Sequence, residues 1–238
     1  MFKDFKIKIF ADGADLKSVK SLNKEEFIKG FTTNPSLMKK AGVTDYKSFS
    51  IELINLIGEK PISLEVFTDD IKEMEKQAKV ISSWGKNVYV KIPITNTKGE
   101  STVELVKTLL NLGVKCNVTA VFTLKQVKEI FENSNNKTNL IISIFSGRIA
   151  DTGRNPVQTI KDAIELCQSK KNIEILWAST RELFNIVEAE KCRCHIITVP
   201  YEILSKFKNI GKDLNLVSTD TVKSFYQDAL SAGFKIKT

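Results

Sequence analysis

"NVYVKIPIT", residues 87–95, sets a lysine inside a run that otherwise has the make-up of a buried β-strand. Successive side chains on a strand face opposite sides, so Val88, Val90 and Ile92 share one face and Lys91 lies on the other. Lysine is almost never fully buried without a partner. A lysine on the inner face of a core strand therefore needs a chemical reason or an ion-pair partner.

Seven further runs resemble it in length and β-branched content: "KIKIFAD" (6–12), "GFTTN" (30–34), "ISLEVF" (62–67), "KCNVTAVF" (115–122), "NLIISIFSG" (139–147), "IEILWAS" (173–179) and "CHIITVP" (194–200). Between them lie stretches with apolar residues at i, i+3 and i+4, the spacing of an amphipathic helix. Examples are "YKSFSIELINLIG", "IKEMEKQAKVISSWG", "STVELVKTLLNLG" and "PVQTIKDAIELCQ". Gly58, Gly85 and Gly113 stand where helices commonly stop. Eight strand-then-helix units in 238 residues predict a TIM (β/α)₈ barrel over residues 1–238 as a single domain, with a doubly wound open sheet as the alternative. Both folds place functional groups at the C-terminal ends of the strands.

The alternation seen at Lys91 recurs. Asp12 opposes Ile7, Ile9 and Ala11; Glu65 opposes Ile62, Leu64 and Val66; Asn117 and Thr119 oppose Val118 and Ala120; Ser143 opposes Ile142 and Ile144; and Thr32 shares a parity with Asn34. Six strands thus carry an apolar face for the helices and a polar face near their C-terminal ends, and the polar set converges in the barrel mouth. Any single Ser, Thr or Asn there is as easily a satisfied core or turn residue. Asp12 and Glu65 are candidate ion-pair partners for Lys91.

Composition narrows the function classes. The net charge is +8, but the lysines are spread along the chain with acidic residues between them, so no nucleic-acid partner is expected. No apolar run reaches the roughly 18 residues that span a bilayer, and "MFKDFKIKIFADGAD" lacks a signal peptide's apolar segment. No membrane partner and a cytoplasmic location are expected. The four cysteines have no framework spacing, and Cys192, Cys194 and the single His195 are too sparse for a zinc site, so no metal and no cofactor are expected. Arginine is scarce, at positions 148, 154, 181 and 193. In a surface otherwise furnished with lysine, each arginine is a candidate for bidentate anion recognition.

Desolvation favours a neutral amine, and a neutral lysine amine attacks carbonyl carbon. The Schiff base that results is an electron sink, which lets a neighbouring carbon–carbon bond break or form. Proton carriers are then needed, and Asp12 and Glu65 are available.

"FTTNPS" (31–36), "ISLEV" (62–66), "VYVKIPIT" (88–95), "KCNVTAVF" (115–122), "IFSGRIAD" (144–151) and "ILWASTRE" (175–182) resemble, in order and spacing, the motifs of the transaldolase family. The similarity is greatest to its small-subunit branch, which includes the fructose-6-phosphate aldolases. The resemblance implies class I transfer of a dihydroxyacetone unit from a ketose phosphate to an aldose phosphate. By match to the motifs, Lys91 would form the Schiff base, Asp12 would be the general acid/base, and Glu65 with Thr119 would position a water. Asn34, Asn117 and Ser143 match positions that hold the dihydroxyacetone hydroxyls, with Thr32 and Phe145 beside them, and Arg148, Ser179 and Arg181 match the phosphate-binding positions. Glu65 and Phe145 are of the transaldolase kind, since the aldolases carry Gln and Tyr there. The resemblance also implies sugar phosphate substrates and a homo-oligomer, a pentamer or decamer, with the helix expected at 218–233 packed on a neighbouring subunit. Otherwise that helix, with Val222, Phe225, Tyr226 and Leu230 on one face, packs on its own barrel.

Two departures from the family pattern stand out. Gly13 replaces a hydroxyl residue. Trp177, at a position where a small residue is usual, shares the parity of Ser179, so its indole either projects into the barrel beneath the phosphate site or serves as core packing.

Overall fold

The computed structural model describes residues 5–236. Residues 1–4 and 237–238, the two ends of the expected single domain, lie outside the described residues. The strands are β1 (Lys8–Asp12), β2 (Ile28–Thr32), β3 (Ile62–Glu65), β4 (Val88–Pro93), β5 (Cys116–Val121), β6 (Leu140–Ile144), β7 (Ile173–Trp177) and β8 (Ile196–Pro200). All pair in parallel with their sequence neighbours, and β8 pairs back onto β1 from Lys8↔Ile196 to Asp12↔Pro200. That last pairing closes a TIM barrel and excludes the open sheet.

Eleven α-helices accompany the strands among the described residues: α1 (Leu16–Leu22), α2 (Pro35–Lys40), α3 (Tyr46–Ile57), α4 (Ile71–Ser82), α5 (Val103–Asn111), α6 (Leu124–Asn133), α7 (Ser146–Ala150), α8 (Val157–Cys167), α9 (Phe184–Lys191), α10 (Tyr201–Leu204) and α11 (Leu214–Ser231). Their starts are chemically marked. Asp15, Asp45 and Asp70 accept from backbone N–H groups of α1, α3 and α4, and Thr123 with Gln126 forms a reciprocal capping box on α6. Gly58 and Gly113 take the positive φ expected of helix stops. Gly85 does not: α4 ends at Ser82 with Ser83 in a right-handed cap, and a β-carbon at Gly85 would press on the Asn87 side chain instead.

Two apolar layers follow from strand parity. The outer one, between barrel and helices, takes Ile62, Leu64, Val88, Val90, Ile92, Val118, Ile142 and Ile175, all buried; each such side chain stabilises the fold by about 1.5–3 kcal/mol. The inner one is a plug of Phe10, Tyr89, Ile141, Leu176, Ala178 and Ile196 inside the barrel. Gly30 on β2 is needed by this plug, because a β-carbon there would lie 2.6 Å from the Phe10 ring. Near the N-terminal ends of the strands, Lys8 and Glu174 pair at 2.8 Å. Above the plug the interior turns polar, and that is where the site lies.

Trp177 corrects one of the sequence alternatives. Its indole belongs to the outer layer with Ile173 and Ile175, so it is core packing and does not enter the barrel. The shared parity with Ser179 fails because Ser179 has φ +64°, which breaks the strand alternation after Ala178.

After β8 the chain makes only α10 and a short 3₁₀ turn (Phe207–Asn209) before α11. Helix α11 starts four residues earlier than expected, at the Asp213 cap, and carries no buried residue. Val222, Phe225, Tyr226 and Leu230 are each more than half exposed, so this helix does not pack its apolar face on its own barrel. No helix among the described residues is long and apolar enough to cross a membrane.

Candidate active site

Strand register stacks the polar residues into rows. Asp12 is level with Thr32 and Thr32 with Ser63; Glu65 is level with Lys91 and Lys91 with Asn117. These inward groups sit one step above the apolar plug, at the C-terminal ends of the strands.

Lys91 is 7% exposed and its ammonium is held on two sides. Its Nζ donates to the Thr33 carbonyl at 2.9 Å and pairs with Glu65 Oε2 at 2.9 Å. The Glu65 backbone is fixed in turn by Tyr46, whose hydroxyl donates to the Glu65 carbonyl at 2.8 Å. Burial pushes the Asp12 carboxyl above the usual range, against the pull of Lys91 and of a hydrogen bond from Thr32. That bond, from Thr32 Oγ1 to Asp12 Oδ1, is 2.7 Å.

Asn117 is oriented by two hydroxyls. Its Nδ2 donates to Ser63 Oγ at 2.9 Å, and Ser143 Oγ donates to its Oδ1 at 2.6 Å. Thr119 follows on the same strand, where the β5–β6 register shifts and Ala120 takes φ 56°. Its hydroxyl is buried and has no partner, and a buried unsatisfied hydroxyl beside a cavity is a place for a water or a substrate oxygen. Asn34 lies past the end of β2. Its Oδ1 caps α2 by accepting from Leu37 N at 3.0 Å, which leaves the amide NH₂ for a ligand.

Asp12, Thr32, Asn34, Lys91, Asn117, Thr119, Ser143, Phe145, Arg148, Ser179 and Arg181 line one cavity of about 220 Å³. Glu65 alone of the expected residues is not on its wall, and it reaches the site through Lys91. At the rim, Arg148 stands over the Phe145 ring at 5.4 Å, and the Arg181 guanidinium takes both oxygens of Asp151, with Nε 3.2 Å from Oδ1. Thr180, Thr198 and Pro200 also line the cavity. Sequence reasoning missed these and Ser63. A signal existed for two of them: Ser63 lies two residues before Glu65, and Thr198 sits between Ile197 and Val199 on the inward parity of β8.

A closed (β/α)₈ barrel with a buried lysine, two carboxylates and two arginines at the C-terminal mouth is the arrangement of barrel enzymes whose substrates enter between the βα loops. The sequence profile of one family, transaldolase/fructose-6-phosphate aldolase, matches residues 9–237, and the chain belongs to that family. A "probable transaldolase" of Thermoanaerobacter sp. (strain X514) is 31% identical over 231 residues, covering 97% of this chain and all of the relative. Another, from Nitrosopumilus maritimus (strain SCM1), is 34% identical over 202 residues, covering 84% and 86%. A third, from Dehalococcoides mccartyi, is 32% identical over 200 residues, covering 83% and 88%. A solved structure from Burkholderia cenocepacia J2315 superposes with a TM-score of 0.59 at 11% identity, covering 81% of this chain and 76% of the other. That likeness is one of fold alone.

Proposed function

We propose that the protein is a transaldolase that moves a dihydroxyacetone unit from a ketose phosphate, fructose 6-phosphate or sedoheptulose 7-phosphate, to an aldose phosphate through a Schiff base on Lys91. The observation that carries the reading is the Lys91 amine, buried in the barrel, facing a cavity and paired with Glu65 at 2.9 Å. An amine must lose a proton before it attacks, and Glu65 is the acceptor in contact with it.

The amine adds to the ketose carbonyl, and loss of water from the carbinolamine gives an iminium ion. Asp12 then takes the proton of the hydroxyl borne by the far carbon of the scissile bond. The electrons of that O–H bond form the aldehyde carbonyl, the carbon–carbon bond breaks, and its electrons neutralise the iminium as an enamine. An aldose phosphate reverses the sequence. A base works best when its pKa lies near the working pH, and burial moves Asp12 in that direction. Thr119 and Glu65 hold the water exchanged in the carbinolamine steps; Asn34, Asn117 and Ser143 hold the hydroxyls of the three-carbon unit; Arg148, Ser179 and Arg181 receive the phosphate.

The Glu65 carboxylate supports transfer over release of free dihydroxyacetone. The test is a coupled assay with fructose 6-phosphate, run with and without erythrose 4-phosphate. Sedoheptulose 7-phosphate made only when acceptor is added supports the reading; dihydroxyacetone released at a comparable rate without acceptor replaces it with an aldolase.

The same reading assigns the bare apolar face of α11 to a second copy of this chain in a cytoplasmic homo-oligomer. Four large apolar side chains on one face are more than a lone monomer's helix normally presents to water. Sedimentation of the full chain against a Phe225→Glu/Leu230→Glu variant tests it, with a smaller species expected for the variant.

A further inference from the structure

We infer that Thr198 is a positioning residue for proton transfer at Asp12, acting through Thr32. The two threonine hydroxyls form a short chain that can reverse direction when Asp12 gains or loses a proton. The inference rests on the assignment of Asp12 as the base and adds a residue that assignment does not use.

The geometry is tight. Thr32 and Thr198 are 4% and 5% exposed. Thr32 Oγ1 lies 2.7 Å from Asp12 Oδ1 and 2.5 Å from Thr198 Oγ1. Strand β1 runs between β2 and β8, so Asp12 is flanked by the strands that bear the two hydroxyls. The Thr198 backbone is pinned where its carbonyl accepts from Thr180 Oγ1 at 2.7 Å.

Hydrogen counting fixes the direction. An ionised carboxylate only accepts, and a hydroxyl has one hydrogen. With Asp12 ionised, Thr32 spends its hydrogen on Asp12, so the Thr32–Thr198 contact requires Thr198 to donate. When Asp12 takes the substrate proton on Oδ1, that oxygen becomes the donor and Thr32 the acceptor. The Thr32 hydrogen then turns to Thr198, which accepts. Rotation of the new carboxyl O–H and of the two threonine hydroxyls completes the switch, and the only covalent change is the transfer from substrate oxygen to Asp12.

Such a chain stabilises the ionised form more than an isolated Thr32 would, because each bond polarises the next. It acts alongside the charges that face Asp12 from other elements: Lys91 on β4, Glu65 on β3 and Glu202 on α10. A Thr198 that merely filled space would be replaced by valine without effect on proton transfer.

The test is the pH dependence of kcat/KM for transfer from fructose 6-phosphate to erythrose 4-phosphate in wild type, Thr198→Val and Thr198→Ser, with borohydride trapping on Lys91 run in parallel. The expected result is an acid limb displaced upward by about half a pH unit or more in the valine variant and restored in the serine variant. Thr198→Ala, which adds no methyl group to a packed site, gives the same displacement should valine prevent folding. A valine limb at the wild-type position, or a serine limb displaced as far as the valine one, would overturn the inference. Trapping separates the two levels: a Lys91 adduct with an unmoved limb removes Thr198 alone, whereas no adduct in wild type removes the assignment of the site and the inference with it.

Discussion

Gly147 and Ser179 meet backbone to backbone at the edge of the cavity: a β-carbon on Gly147 would overlap the Ser179 carbonyl oxygen. Ser179 is one of three non-glycine residues with positive φ among those described, and the segment it begins supplies Thr180 and Arg181 to the cavity wall. The start of α7 therefore serves as a template for the arginine-bearing turn after β7.

Gly147→Ala should displace that turn. Backbone cannot yield as a flexible side chain can, so a destabilisation of about 1–3 kcal/mol or more is expected. KM for phosphorylated substrates should rise more than that for unphosphorylated ones. Urea unfolding and steady-state kinetics on the same preparation check both.

Arg181→Ala should weaken phosphorylated substrates by about 1.5–3 kcal/mol, the range for hydrogen bonds to charged groups. Its side chain is 46% exposed and shared with Asp151, which keeps the expected loss below that of a fully buried contact. Asp151→Asn, by contrast, should leave stability nearly unchanged, since an exposed pair contributes little. Equal losses for phosphorylated and unphosphorylated donors in Arg181→Ala would remove Arg181 from the phosphate site.

His195 makes the fold sensitive to mild acid. Burial lowers its pKa, with Lys8 and Lys171 adding to the effect and Glu174 opposing it, and its Nδ1 accepts from Ile175 N at 3.0 Å. Below about 6.5 the unfolded chain binds a proton that the folded one resists, so stability falls as pH drops from there toward the folded value. Asp12 has the opposite sign: its raised folded pKa makes its contribution fade as pH rises through that value. The difference between wild type and His195→Asn cancels Asp12, and the urea midpoint of the variant should fall less between pH 7 and 5.5.

Lys91→Met should lower transfer by at least about 10³-fold, the scale seen when a nucleophile is removed. The far-UV spectrum should not change. Glu65 loses its cation, but its side chain is 16% exposed, so the cost should stay under the roughly 3–5 kcal/mol of breaking a fully buried pair.

The barrel and most of its site were legible because one rule, alternation on a strand, generates both. Asp12, Lys91, Asn117 and Ser143 fall on the inner face by parity alone, and the structure gathers them around one cavity. The same rule left Trp177 open between the barrel interior and the core, since it assumes extended backbone and Ser179 is left-handed. Asn34 and Arg181 lie beyond the strand ends; Asn34 was reached by extending the parity of Thr32, and Arg181 by the scarcity of arginine together with the family resemblance. Ser63 and Thr198 were within reach of the rule, but a lone hydroxyl on an inward position is in sequence indistinguishable from a satisfied core residue; only the structure brings Ser63 against Asn117 and Thr198 against Thr32. The start of α11 was misplaced by four residues because Asp213, its cap, precedes a stretch with no strong apolar period.

The central claim is that Lys91 is the nucleophile. Peptide mass spectrometry after borohydride reduction with fructose 6-phosphate, with and without erythrose 4-phosphate, tests it most directly. A reduced three-carbon adduct on Lys91, lost when acceptor is present, is the predicted result. Folded protein that transfers the unit yet shows no adduct on Lys91, or shows it on another lysine, would contradict the account.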